Sequence, residues 1–199
     1  WNHLAIVRSG SGSNNISVYR NGARLAQGSS DFSITAGSLM IGGQDRGSTT
    51  GYHGCFAFIS NFRILKGTAL YSGTSYTVPT EPLTAITNTS LLTCQSNRYV
   101  DNSTNSMSMT TYAEGSSGST NYTRIYPYSP FETDSSYKKD TNGGSAFLDG
   151  TGDRVDFDPV HFGLIGNRDF TIEIWWYPNN VYTSFPAVVS LGTNSSFSI

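Results

Sequence analysis

GYHGCFAFISNFRILKGTALY, residues 51–71, decides how the rest of the chain is read. Phe56, Phe58 and Ile59 run into Phe62 and Ile64, an apolar stretch long enough for a buried strand. Arg63, Lys66 and Gly67 then turn the chain outward. A helix here would need apolar residues at i, i+3, i+4 and i+7, with few β-branched or glycine interruptions. Gly51 and Gly54 before the run, and Gly67 after it, fit a strand with an irregular approach instead.

The composition around this block also points to an all-β chain. Charged residues are only 13% of the 199, while aromatic residues make up another 13%. Low charge with many rings argues against disorder. Rings set among many turn-formers suggest two packed sheets with long polar loops. A formal charge of −2 without a basic run leaves no footprint for nucleic acid. No apolar stretch approaches a membrane span, so no membrane insertion is expected, and no signal-peptide pattern opens the sequence. Trp1 leads directly into a strand, as in a slice of a longer polypeptide.

Outward from the block, WNHLAIVR (1–8) is apolar on both alternating faces and reads as a strand covered on both sides. ISVYR (16–20) is the next strand. Asn21-Gly22 after it is a two-residue hairpin signal, since both central positions need positive φ. SLMIGG (38–43) is a short strand closed by glycines. Ser72–Thr87 carries two prolines and little periodicity and is expected to be an inter-domain connector. LLTCQ (91–95) restarts a strand, and DNSTN (101–105) follows as an aspartate-initiated turn. A long Tyr-rich loop is expected over 112–141, with PYSPF at 127–131, where the prolines exclude a central strand. GGSAFLDGTGDRVDF (143–157) reads as strand, tight turn, strand. In DFTIEIWWYP (169–178), Phe170, Ile172, Ile174 and Trp176 share a core face, and Thr171, Glu173, Trp175 and Tyr177 share the other. AVVSLG (187–192) is a further strand.

Taken together, SAFLDGTGD, DFTIEIWWYP, VVSLG, WNHLAIVR, YRNG and ISNFRILKGTALY resemble the strands of concanavalin A-like, laminin-G-type jelly-roll domains. They are closest to the versions repeated along bacteriophage tail and fibre proteins. In that family the first three motifs precede the last three within one domain; here the later group comes first. The resemblance therefore implies parts of two tandem jelly-roll domains. Residues 1–71 would be the C-terminal half of one, 72–87 a linker, and 88–199 the N-terminal part of the next. Closure of the two halves on each other within one chain is the alternative. If the halves belong to separate domains, Cys55 and Cys94 lie on opposite sides of the linker. Each sits in an apolar run, so both are expected as free buried thiols.

Candidate sites follow from the residues and from the resemblance. Calcium is a common ligand of laminin-G-type domains, and Asp149, Asp153, Asp156 and Asp158 cluster around a glycine turn. Asp149 and Asp153 are the candidate ligands, with turn formation as the alternative role. Trp175 and Tyr177, with Tyr112, Tyr122, Tyr126 and Tyr128 of the loop, are candidates for stacking on sugars. Packing of Trp175 beneath the loop is the alternative, and protein interfaces use the same residues. Glycoside hydrolases share the fold and carry paired carboxylates on one strand. The comparable strand here has Glu173 alone on its face, so no catalytic residue is expected. His3, His53 and His161 lack a second ligand at short spacing.

The functional expectation is a non-enzymatic virion protein of tail-fibre or appendage type, located on a virion or outside the cell. Its jelly rolls would act as spacers and as modules binding host-surface glycans. Its partners would be those glycans, neighbouring copies of the chain or other virion proteins. A non-viral adhesin built from the same domains is the alternative.

Overall fold

The computed structural model describes residues 1–34, 39–43, 53–96, 98–112, 124–131, 143–157, 165–179, 187–191 and 197–198. Tyr122, Asp158, His161 and most of the loop expected over 112–141 lie outside the described residues. The chain is all-β. The strands are β1 Asn2–Arg8, β2 Ile16–Arg20, β3 Ala23–Gly28, β4 Leu39–Ile41, β5 His53–Lys66, β6 Thr89–Thr93, β7 Met109–Tyr112, β8 Arg124–Tyr126, β9 Ser145–Thr151, β10 Arg154–Phe157, β11 Phe170–Pro178, β12 Val189–Leu191 and β13 Phe197–Ser198. They form two antiparallel sheets. The larger runs β3-β2-β1-β11-β5-β9-β8, with β6 also paired to β5; the smaller runs β13-β12-β4-β10-β7.

The quoted block becomes β5, flanked by β11 on one side and by β9 and β6 on the other. Its alternation sends Cys55, Ala57, Ile59, Phe62 and Ile64 into the core. The phase survives because Asn61 is inserted as a bulge with φ 50°. Opposite it, the register moves from Glu173↔Arg63 to Trp175↔Ser60, so β5 uses one residue more than β11. The Asn61 carboxamide oxygen accepts hydrogen bonds from Leu83 N–H and Gln95 Nε2, both at 2.8 Å. Leu39, Ile41, Val155, Phe157 and Leu191 of the smaller sheet complete the same core.

Several local expectations hold. Asn21 and Gly22 turn β2 into β3 with φ of 49° and 81°. Asp101 builds the turn expected at 101–105, accepting the Ser103 and Met107 amides and tying it to Leu92 of β6. Phe170, Ile172 and Ile174 of β11 are buried in the core and Trp176 packs against it. The turn at Gly150–Gly152 carries the chain from the larger sheet to the smaller one, since β9 and β10 pair in different sheets.

Longer-range relations are different in kind. The stretches 1–71 and 88–199 interleave within this chain, with β11 between β1 and β5. Ser72–Thr87 lies between β5 and β6. It is strapped to the outer face of the larger sheet, where Tyr76 N–H binds Gly22 O and Arg24 N–H binds Thr74 O. Arg63 donates to Thr84 O, and Leu83 is held by Asn61. Its contacts come from single backbone groups and rings, which leave no periodic trace.

Cys55 and Cys94 are buried free thiols, as expected, but within one core. Cys94 O accepts the Asn61 amide, while Cys55 lies six residues earlier in β5. That spacing is about 20 Å at strand rise, against the roughly 7 Å a disulfide allows. Burial pushes both thiols up to about 12. Alkylation without reductant should therefore add nothing to the native chain and two groups to the denatured one. One group or none after denaturation would contradict this. Asn61→Ala should cost about 2–4 kcal/mol in denaturant unfolding, from the stranded Leu83 amide, the lost Gln95 bond and backbone strain, and Asn61→Gly about 1 kcal/mol less. Equal losses for the two variants would show that the left-handed bulge carries no strain.

Candidate functional site

The outer face of the larger sheet falls into three zones. On the first, the strap covers Ala5, Val7 and Tyr19, which pack with Ala69, Tyr71 and Tyr76. Glu173 lies beneath it with no exposed surface. Arg63 Nε donates to Glu173 Oε1 at 2.6 Å and the Tyr71 hydroxyl to Oε2 at 2.7 Å. His3 Nε2 sits 3.3 Å from Oε2, an electrostatic contact rather than a hydrogen bond. The Tyr76 hydroxyl meets His3 Nδ1 at 2.6 Å. Burial would raise the Glu173 carboxyl, but His3, Arg63 and Tyr71 together hold it below the usual carboxylate range. Burial, then the Glu173 charge, push the Tyr71 and Tyr76 hydroxyls up, so both stay protonated. Glu173 is thus the counter-charge that lets Arg63 be buried, and no solute reaches it in this conformation.

The second zone is a band of small residues crossed by the segment after β8. Ser60 is fully buried and its hydroxyl bonds Gly144 O. A Cβ on Gly144 would stand 3.0 Å from Ser96 O and 3.2 Å from Tyr126 O, so a side chain there would push both backbones back by a few tenths of an ångström. Trp175 lies in this band, half-buried, with its ring edge-on to His3 (5.0 Å) and Phe131 (5.3 Å). Its Nε1 is buried without an acceptor.

The third zone stays partly open and consists of rings. Tyr177 pairs with Phe58, and Phe58 with Phe147, in direct cross-strand register. Trp1, just before β1, reaches Tyr177 at 5.8 Å. One ring thus stands on, or in the case of Trp1 just before, each of four neighbouring strands, in the order β1, β11, β5, β9. Phe56 flanks Phe147 at 5.7 Å. Tyr126 and Tyr128 lean in from β8 and the segment after it, nearly perpendicular to Phe58 at 5.7 and 5.1 Å. All seven rings are half-buried.

Of the residues singled out for sugar stacking, Tyr177, Tyr126 and Tyr128 meet here, while Trp175 stays one row away. Tyr112 is on the smaller sheet, exposed, beneath the Arg154 guanidinium. Trp1, Phe56, Phe58 and Phe147 were missed. Phe56 and Phe58 alternate with Cys55, Ala57 and Ile59, so the period-2 pattern of β5 already placed them on the outer face.

Asp149 and Asp153 also meet. Asp153 is 3% exposed; its Oδ2 accepts the Asp149 amide at 2.9 Å, and its Oδ1 is buried without a partner. Asp156 is paired with Arg154 instead. Among the described residues no group of three or more His, Cys, Asp or Glu is placed to hold a metal ion. Closing the turn is what the observed hydrogen bond does.

Compared with protein-family models, curated proteins and solved structures, the chain matches none.

Burial, reinforced by the neighbouring Asp149 carboxylate, pushes Asp153 up to about 6. The folded chain therefore binds this proton more tightly than the unfolded chain does. The resulting stability is full below the ordinary aspartate range, near 3.8, and is lost as pH rises through about 6. Asp153→Asn should flatten the fall in melting temperature over that window. An unchanged slope in the variant would assign the pH dependence to other groups.

Proposed function

We propose that this chain is a non-enzymatic binding module of a virion fibre or appendage protein, built as a jelly roll, whose aromatic row holds host-surface glycans. The observation that carries this reading is the row itself: Trp1, Tyr177, Phe58 and Phe147, with Tyr126 and Tyr128, left partly open beside the strapped part of the same face. Sugars present C–H faces that attract π systems and hydroxyls that bond to tyrosine and charged groups at the margin. Exposed Arg124 and half-buried Asp149 supply such groups beside Phe147. The all-antiparallel, two-sheet architecture supports the jelly-roll assignment. The wording of the six motifs supports the phage-appendage setting, with a virion or extracellular location and neighbouring copies or other virion proteins as partners. Repetition along a fibre would let weak single sites act together.

The test is a glycan array probed with the purified chain, with and without calcium, alongside an assay for released reducing ends. Tyr177→Ala and Tyr126→Ala should each weaken binding roughly threefold to tenfold, given about 0.5–1.5 kcal/mol per ring contact. Undiminished binding by the folded double variant would remove the row from the site. Release of reducing ends by the parent chain would make the protein an enzyme.

A further inference from the structure

We infer that the aromatic row takes a single extended oligosaccharide of three or four sugars, laid across the strands, rather than a terminal sugar or a flat polysaccharide surface. The inference rests on the glycan reading above. Trp1, Tyr177, Phe58 and Phe147 stand on, or in the case of Trp1 just before, consecutive strands, in register where β11, β5 and β9 pair. Strands repeat about every 4.8 Å, so the row is roughly 14 Å long and one ring wide. A lone sugar covers one or two of these rings and leaves the others in water.

Ring inclination decides between a single chain and a surface. Successive rings along the row are inclined by 57°, 64° and 47°. A crystalline polysaccharide face is flat and needs nearly coplanar rings. Rings inclined this steeply offer edges and separate faces rather than one plane, which suits a single chain whose sugars meet them one at a time. Tyr126 and Tyr128 stand steeply against Phe58 and also touch Phe147, Tyr177 and Trp1, so they flank the row along its length and the chain lies beside them. At the β9 end, Arg124 lies opposite Phe147 in register, with Asp149 two residues from Phe147 on the same face. One base and one acid at that margin match a neutral polyhydroxyl chain.

Area argues against a protein in the same place. A stable protein partner needs about 800 Å² on each side, several times the footprint of one row of rings.

The test is a calorimetric titration of the chain with soluble chito-, cello-, xylo- and malto-oligosaccharides of one to six sugars. Retention on microcrystalline cellulose and chitin is measured in parallel. For at least one series, affinity should rise roughly tenfold or more between one and three sugars and level off by four or five, with little retention on the solids. Phe147→Ser and, separately, Trp1→Ser, at the two ends of the row, should each bring the plateau about one sugar earlier. Full affinity for a single sugar, or retention on the solids equal to the soluble binding, overturns the extended-chain inference and leaves the glycan reading standing. Failure of every series here and of every glycan on the array overturns both. Failure of the four series with binding elsewhere on the array overturns the neutral-chain assignment alone.

Discussion

Glu173 lies fully buried on the outer face of a sheet, and a carboxylate in that position must be matched or it would not stay there. Its partners come from three separate parts of the chain. Arg63 is the register neighbour across β5, His3 stands on β1, and Tyr71 belongs to the segment that leaves β5. The cluster therefore exists only when β11 sits between β1 and β5 with the strap in place. Any of these elements moved away leaves a charge without its mate. Leu70 N–H and Thr68 O, both bonded to the Thr171 hydroxyl, extend the same lock one pair further along β11.

What remains open on this face follows from what is closed. The strap holds one end, and the small residues Ser60 and Gly144 admit the segment from Tyr126 to Phe131 across the middle. The rings beyond it lean on each other. Phe58 is their centre, in contact with Trp1, Tyr126, Tyr128, Phe147 and Tyr177. The same alternation that buries Cys55, Ala57 and Ile59 sends Phe56 and Phe58 outward. Core and candidate site are two faces of one strand.

Local physics was legible in the sequence and long-range pairing was not. The two faces of β11, the Asn21-Gly22 turn and the aspartate turn at Asp101 depend on residues within a few positions of each other. The partner of Glu173 is 110 positions away, and the row joins residues 1, 58, 147 and 177. Neither distance leaves a periodic signature. The turn around Gly150 was visible as a turn, yet its two strands enter different sheets, a choice made by pairing with β5 and β4 rather than by the turn. Alternation assigns Trp175 to the outer face and leaves both sugar stacking and packing beneath the loop open. Trp175 is covered by Phe131, a residue of a loop whose path no alternation describes.

A double-mutant cycle between Arg63 and Glu173 tests this account most directly, using Arg63→Met, Glu173→Gln and the double variant in urea unfolding. Each single change should cost about 3–5 kcal/mol, because it strands the other charge in a buried site. The double variant should cost less than the sum of the two by at least about 2 kcal/mol. Additive losses, or single losses under about 1 kcal/mol, would mean that the larger sheet holds together without this pair.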